Sequence, residues 1–263
     1  MKKLARAYIG IVLAFLYAPI IVLMVYSFNA SKSRAVWQGF TLDWYKTLFS
    51  NSDIMRSLYT TLLCGFLAAL IATVIGSAAA YGLGEKKSFF SSLTLSAAYI
   101  PMLNAEIVTG VSLMLLFTFL NLKLGFLTML LSHVTFCIPY VILAVLPKVR
   151  QLDHSLSDAA QDLGCTPARA FWKITVPELM PGIGTGFLIS LTMSIDDFII
   201  SFFTTGNGVT NLSITIYTMA KRGIKPEINA LSTIMFAVIL AVLVAANISS
   251  AKHSKKQKRS MSR

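Results

Sequence analysis

Apolar runs long enough to cross a lipid bilayer recur six times along this chain, at approximately residues 7–28, 58–83, 92–120, 124–147, 179–204 and 230–250. A helix needs roughly 20 predominantly apolar residues to span the hydrocarbon core, and in lipid each backbone N–H and C=O must be bonded within the protein. The runs therefore predict helices. Of 263 residues, 56% are hydrophobic and 13% charged, with a mean hydropathy of +0.70, whereas soluble domains carry about 25% charged residues. The expected fold class is all-α: a polytopic membrane protein with six transmembrane helices. The spans leave no room for a soluble domain, so residues 1–263 are expected to form a single transmembrane domain.

A net charge of +12 invites a nucleic-acid reading, which the placement of the charges argues against. With both termini cytoplasmic, 15 of the 23 Lys and Arg fall inside and 8 outside, the asymmetry of the positive-inside rule. The tail 251–263, with its KHSKKQKR, reads as an orientation anchor beside anionic lipid. Lys2 and Lys3 precede an apolar stretch from Tyr8 to Phe28. That stretch exceeds the ~7–15 residues of a signal-peptide core, and no small-x-small cleavage site follows it, so it reads as an uncleaved first span. Cys64 and Cys137 fall in spans and Cys165 in a cytoplasmic loop, which implies no disulfide framework. His133 and Cys137, four apart in span four, are too few for a metal site and read as packing.

Two outside connections are long. Residues 29–57 contain AVWQGFTLDWYKTLF, an amphipathic, aromatic-rich segment in which Thr41 and Asp43 mark a helix start. It reads as an interfacial helix with Trp and Tyr at headgroup level; the sharper alternative is that Trp44 or Tyr45 offers its π face to an entering cation. The second, residues 206–230, has turn formers at Gly206, Asn207, Gly208 and Asn211. Its middle, Leu212 to Met219, is expected to be a short helix facing a soluble partner.

The inside connection at about 150–178 is the most punctuated part of the chain. Ser155 and Asp158 have capping-box spacing, and Leu156, Ala159, Ala160 and Leu163 follow as an apolar stripe at helical spacing. Gly164 stands where a left-handed residue ends a helix. Thr166 and Pro167 begin a second helix, which Pro177 and Pro181 are expected to stop before span five. The spacing Asp158-Ala159-Ala160, three residues, Gly164, nine residues, Ile174, one residue, Val176-Pro177 resembles the EAA loop of ABC-importer permeases. Asp158 stands for the family's Glu and Val176 for its Leu. The resemblance implies the type I ABC importer (MetI-like) permease fold. It also implies that Asp158, Ala159, Ala160, Gly164, Ile174 and Pro177 couple the membrane spans to a separate ATPase subunit. The chain itself has no G-x-x-x-x-G-K-[ST] loop. It is expected to bind no cofactor and catalyse nothing, with ATP and Mg held by the partner ATPase. GIGTGF at 182–187 opens a membrane span and reads as glycine packing between helices.

Substrate chemistry has to be read from charge inside the spans, where ionisable residues are costly and mark candidate pathways. They are Glu106, in span three, and the adjacent Asp196 and Asp197 in SIDDFIISFF, with no basic residue deep in a span to pair with them. Such a set repels anions and suits a cation. Ser194 and Asp197 also have capping-box spacing, which allows Asp197 a structural role at a helix break. Neighbouring helical residues point about 100° apart, so Asp196 and Asp197 cannot both face one point. An ion-coupled secondary carrier of organic cations, or an ABC permease for another cationic solute, would use the same acids.

NAEIVTGVSLMLLF, LLSHVTFCIPYVI, AAQDLGCTPARAFWKITVPELMPG, SIDDFIISFF and IKPEINALSTI together resemble the spermidine/putrescine permease family of ABC importers over nearly the whole chain. Ala105 stands where that family carries Pro, which removes the covalent cause of a kink and leaves the carboxylate of Glu106. The resemblance implies a bacterial inner (plasma) membrane complex with a sister permease (PotB-like), two copies of an ATPase subunit (PotA-like) and a periplasmic polyamine-binding protein (PotD-like). The polyamine would pass along a path of Glu106, Asp196, Asp197, Ser194 and Trp44.

Overall fold

The structure is a computed structural model that describes residues 2–31, 36–85, 89–222, 226–237 and 240. Eleven α-helices carry labels here: α1 (Lys2–Ser27), α2 (Asp43–Ser50), α3 (Ser52–Glu85), α4 (Phe89–Leu103), α5 (Glu106–Phe119), α6 (Phe126–Val149), α7 (His154–Asp162), α8 (Pro167–Ala170), α9 (Val176–Asp196), α10 (Ile199–Thr204) and α11 (Leu212–Arg222). Residues 226–237 are also helical. Among the described residues the β-structure is one antiparallel bridge, Asn29 with Phe40. The remainder of the expected sixth span, 241–250, and the basic tail 251–263 lie outside the described residues.

Four helical stretches are long and apolar enough to cross a membrane: Tyr8–Ser27, Ser52–Gly84, Phe126–Val149 and Pro167–Asp196. The expected span 92–120 is not one rod. It breaks at Asn104–Ala105 into α4 and α5, bent by 106°. Ala105 is extended (φ −62°, ψ 135°), so the bend occurs without proline at that residue. The expected span 179–204 also breaks, at Asp197–Phe198, between α9 and α10.

By packing, the chain divides into two compact units, residues 1–55 with 216–263 and residues 56–215. In the first, α1 runs into a loop that Asn29 organises. Its Oδ1 accepts from the N–H groups of Ser31 (3.2 Å) and Gln38 (3.0 Å), and its Nδ2 donates to the Val36 carbonyl (2.9 Å). Phe28 stacks on Phe40 at 5.3 Å. The Thr41 hydroxyl accepts from Asp43 N–H (3.1 Å) at the start of α2, and Asn51 Oδ1 accepts from Asp53 and Ile54 at the start of α3.

The second unit is built on α6, the most buried of the four long stretches. Val141 of α6 stands between two glycines: Gly76 of α3 on one side and Gly186 of α9 on the other. A Cβ on Gly76 would lie 2.7 Å from Val141 Cβ, and one on Gly186 3.2 Å from Val141 Cγ1. Gly182 likewise meets Ala144 and Lys148, so two glycines of GIGTGF are helix contacts, while Gly184 is open. Without a hydrophobic drive between helices in lipid, close backbone approach supplies the packing. Gly76→Ala should cost roughly 1–3 kcal/mol by overpacking. The measure is the unfolding midpoint of the detergent-solubilised protein, with Val141→Ala recovering part of the loss; an unchanged midpoint would mean that α3 and α6 are less tightly joined.

Candidate functional site

The two adjacent aspartates separate completely. α9 ends at Asp196, whose side chain is exposed, and Asp197 turns the chain with an extended ψ of 128°. The Asp197 carboxylate then satisfies the first turn of α10: Oδ1 accepts from Ile200 N–H (3.2 Å), and Oδ2 accepts from Ser201 N–H (2.8 Å) and from the Ser201 hydroxyl (2.9 Å). Its backbone carbonyl accepts from Asn211 Nδ2 at 3.2 Å. Asp197 thus takes the helix-start role that its spacing allowed, but Ser194 does not complete a capping box. Its hydroxyl meets Nδ1 of His133.

His133 corrects two readings. It is the basic residue deep in a span that the sequence reading did not count, and it does more than pack. Its ring is 2% exposed; Nε2 lies 2.8 Å from Ser201 Oγ and 3.4 Å from Asp197 Oδ2. Because the Ser201 hydroxyl proton goes to Asp197, Ser201 Oγ accepts from His133 Nε2–H, and Nδ1 pairs with the Ser194 hydroxyl, which can donate to it or accept from it. Ser194, His133, Ser201 and Asp197 form one buried chain in which each donor finds an acceptor, the condition under which polar groups are tolerated in such a place. The signal in the sequence was the histidine itself, an ionisable side chain amid apolar residues.

Asp197 and Ser194 are therefore buried and committed within this chain, whereas Asp196 and Glu106 are exposed. Glu106 is the first residue of α5, immediately after the bend. One turn on, Gly110 touches α10: a Cβ there would lie 3.1 Å from Phe203 Cδ2 and 3.5 Å from the Ile199 carbonyl and Ile200 Cα. Residues four apart share a helix face, so Glu106 stands one turn before the point where α5 meets α10, and Asp196 ends α9 just before the two-residue break that leads into α10. Non-helical backbone at membrane depth is tolerated where protein or a water-filled cavity satisfies it, and both acids sit beside such a break. Trp44 belongs to the other unit. Its Nε1–H donates to the Asn29 carbonyl (2.7 Å), and the ring is half-buried, so it anchors the loop after α1.

The loop at about 150–178 follows its expected outline with three differences. The cap of α7 is Asp153, not Ser155: Asp153 Oδ1 accepts from Ser155 N–H (3.0 Å) and from the Ser155 hydroxyl (2.7 Å). Thr166 precedes α8, with Pro167 at its start, but its side chain makes no capping bond. Pro177 and Pro181 do not end the helix. Phe171–Thr175 form a π-helical turn that passes directly into α9, closed by Val176 N–H on the Phe171 carbonyl. A proline ring clashes with the carbonyl four residues earlier; for Pro177 that is Lys173, which lies in the wide turn. Gly164 has φ +85°, a conformation that side chains disfavour, and Cys165 N–H bonds the Ala160 carbonyl (3.0 Å).

The loop's apolar stripe does not pack on its own unit. Leu163 is 90% exposed and Leu156 47%; Asp158 and Ala159 are exposed, and Ala160 is half-exposed. Ile174, by contrast, lines a shallow cleft with Tyr81, Asp153 and Glu178, and Phe171 meets Tyr81 edge-on at 5.3 Å. The loop is therefore keyed to α3 at its base and open at its tip.

Residues 99–259 match the family described as binding-protein-dependent transport system inner membrane component. The chain is 35% identical over 247 residues, covering 94% of each protein, to the spermidine/putrescine transport system permease protein PotC of Escherichia coli strain K12. It is 38% identical over 232 residues, 86% of this chain and 83% of the other, to the putrescine transport system permease protein PotI of the same strain. Its fold matches a chain in the crystal structure of a bacterial ABC transporter that imports the acidic polysaccharide alginate, with a TM-score of 0.72, 13% identity and coverage of 95% of each chain. A helical chain of this relatedness, with apolar spans around a helical loop, belongs to the inner membrane permeases of binding-protein-dependent ABC importers.

Proposed function

We propose that this chain is a permease subunit of an ATP-driven polyamine importer, carrying spermidine, putrescine or a related amine into the cytoplasm. One observation carries the reading: two exposed carboxylates, Glu106 and Asp196, stand at the breaks of two spans in a chain 35% and 38% identical to polyamine permeases. Fold alone does not choose the cargo, since a related fold serves an acidic polysaccharide. A path lined by acids attracts a multiply protonated amine and repels anions.

In this mechanism the loaded PotD-like binding protein docks on the periplasmic side and a PotB-like sister permease supplies the facing half of the path. ATP and Mg bind two PotA-like ATPase subunits, whose closure is transmitted through α7. Both termini lie in the cytoplasm. The polyamine passes Glu106 and Asp196, held weakly enough to leave again, while Trp44 supports the outer loop. Asp158, Ala159, Ala160 and Gly164 form the docking tip; Ile174 and Pro177 join it to the membrane.

The test is uptake of radiolabelled spermidine and putrescine into proteoliposomes holding the assembled complex, with other amines and with sulfate or phosphate as competitors. ATP-dependent uptake inhibited by amines and indifferent to anions is expected. Uptake by this chain without an ATPase, driven by a proton gradient, would replace the reading with a secondary carrier.

A further inference from the structure

We infer that His133 is a positioning residue for the cation path: it ties together both sides of the break in span five and so sets where Asp196 points. The inference rests on the proposed polyamine path and adds to it a residue that never meets the substrate. Asp196 lies between two anchored neighbours. Two residues before it, Ser194 in the last turn of α9 bonds His133 Nδ1; directly after it, Asp197 lies beside His133 Nε2 and is joined to it through Ser201 of α10. The Asp196 side chain has no described hydrogen bond and is exposed, and as the last residue of α9 it takes its direction from the end of that helix, which these flanks hold. One imidazole, brought from α6, closes the bridge across the gap. A second tie holds the far end of α10, where the Thr128 hydroxyl of α6 donates to the Thr204 carbonyl (2.7 Å). α9 itself rests on α6 through Gly182 and Gly186, and Asn211 holds the Asp197 carbonyl, but His133 is the side chain that bonds the last turn of α9 and the first turn of α10 together.

The test is a double-mutant cycle in the assembled complex in proteoliposomes, using His133→Ala, Asp196→Asn and the double variant. His133→Ala should raise the KM for spermidine roughly tenfold, a coupling of the size that neighbouring side chains show, and His133→Gln, which keeps an N–H donor, should recover part of it. In the Asp196→Asn background the same change should have little further effect. A full tenfold loss on top of Asp196→Asn would mean that His133 acts independently, and the inference would fall. A second readout does not depend on polyamine being the cargo: labelling of Asp196→Cys by a charged thiol reagent, in a Cys165→Ser background. Replacing His133 should change the labelling rate; an equal rate with and without the imidazole overturns the positioning role. If labelling changes while no amine is taken up, the polyamine reading fails and the bridge stands. Where His133→Ala yields no complex, Ser194→Ala removes the α9 anchor alone and is read in the same two assays.

Discussion

Asp196→Asn is expected to lower polyamine uptake by roughly ten- to a hundredfold, the loss of a charge-assisted contact of about 1.5–3 kcal/mol, while the complex assembles at its usual yield. The side chain is exposed on its own chain, so removing its charge leaves no buried partner unpaired. Glu106→Gln should act in the same direction, because both acids are exposed and stand at the breaks of their spans. Asp197→Asn should behave differently. Its carboxylate accepts three hydrogen bonds at the start of α10 and faces His133, and neutralising a buried, fully bonded acceptor removes support from the fold. The expected result is a lower unfolding midpoint and lower yield. Radiolabelled uptake, set beside chromatographic yield for each variant, separates the two aspartates. Unchanged uptake by the Glu106→Gln, Asp196→Asn double variant would sink the acid path, and an unaltered midpoint for Asp197→Asn would sink its structural role.

Ala159→Trp should weaken association with the ATPase subunit by at least about thirtyfold, corresponding to about 2 kcal/mol. Ala159 lies on the exposed face of α7 beside Leu156 and Leu163, and an indole there would hold two surfaces apart while touching nothing within this unit. Stability of the permease should therefore be unchanged, which distinguishes a docking surface from a packing one. Gln161→Ala, also exposed on α7, serves as the control. Co-purification and binding-protein-stimulated ATP hydrolysis measure the effect; normal assembly of the Ala159→Trp complex would show that α7 docks elsewhere or not at all.

Much of the loop at about 150–178 was legible because its signals are local. Gly164 adopts the left-handed conformation its position suggested, and Pro167 opens α8. The cap was misread by two residues because Asp153 and Ser155 are both good cap residues, and only the path of the chain decides between them. The prolines were misread for a related reason. Pro177 usually ends a helix, but a π-helical turn ahead of it lets the chain continue, and no composition rule encodes that turn.

The sequence by itself determined the membrane class, the family, the helix–turn–helix outline of the loop at about 150–178 and the rank of Glu106, Asp196 and Asp197 as residues that need explaining. Each of these depends on residue type and on spacings of a few residues, which the helical period reads directly. Tertiary structure alone decided which aspartate faces outward. Asp197 is turned in by His133, 64 positions earlier, and by Ser201 in the helix it starts, whereas Asp196 meets no such partner. Tertiary structure also decided that span three bends without a proline at Ala105, with α5 resting on α10 through Gly110. A carboxylate in a membrane protein points toward whatever satisfies it, and here the satisfying group comes from a helix distant in the chain.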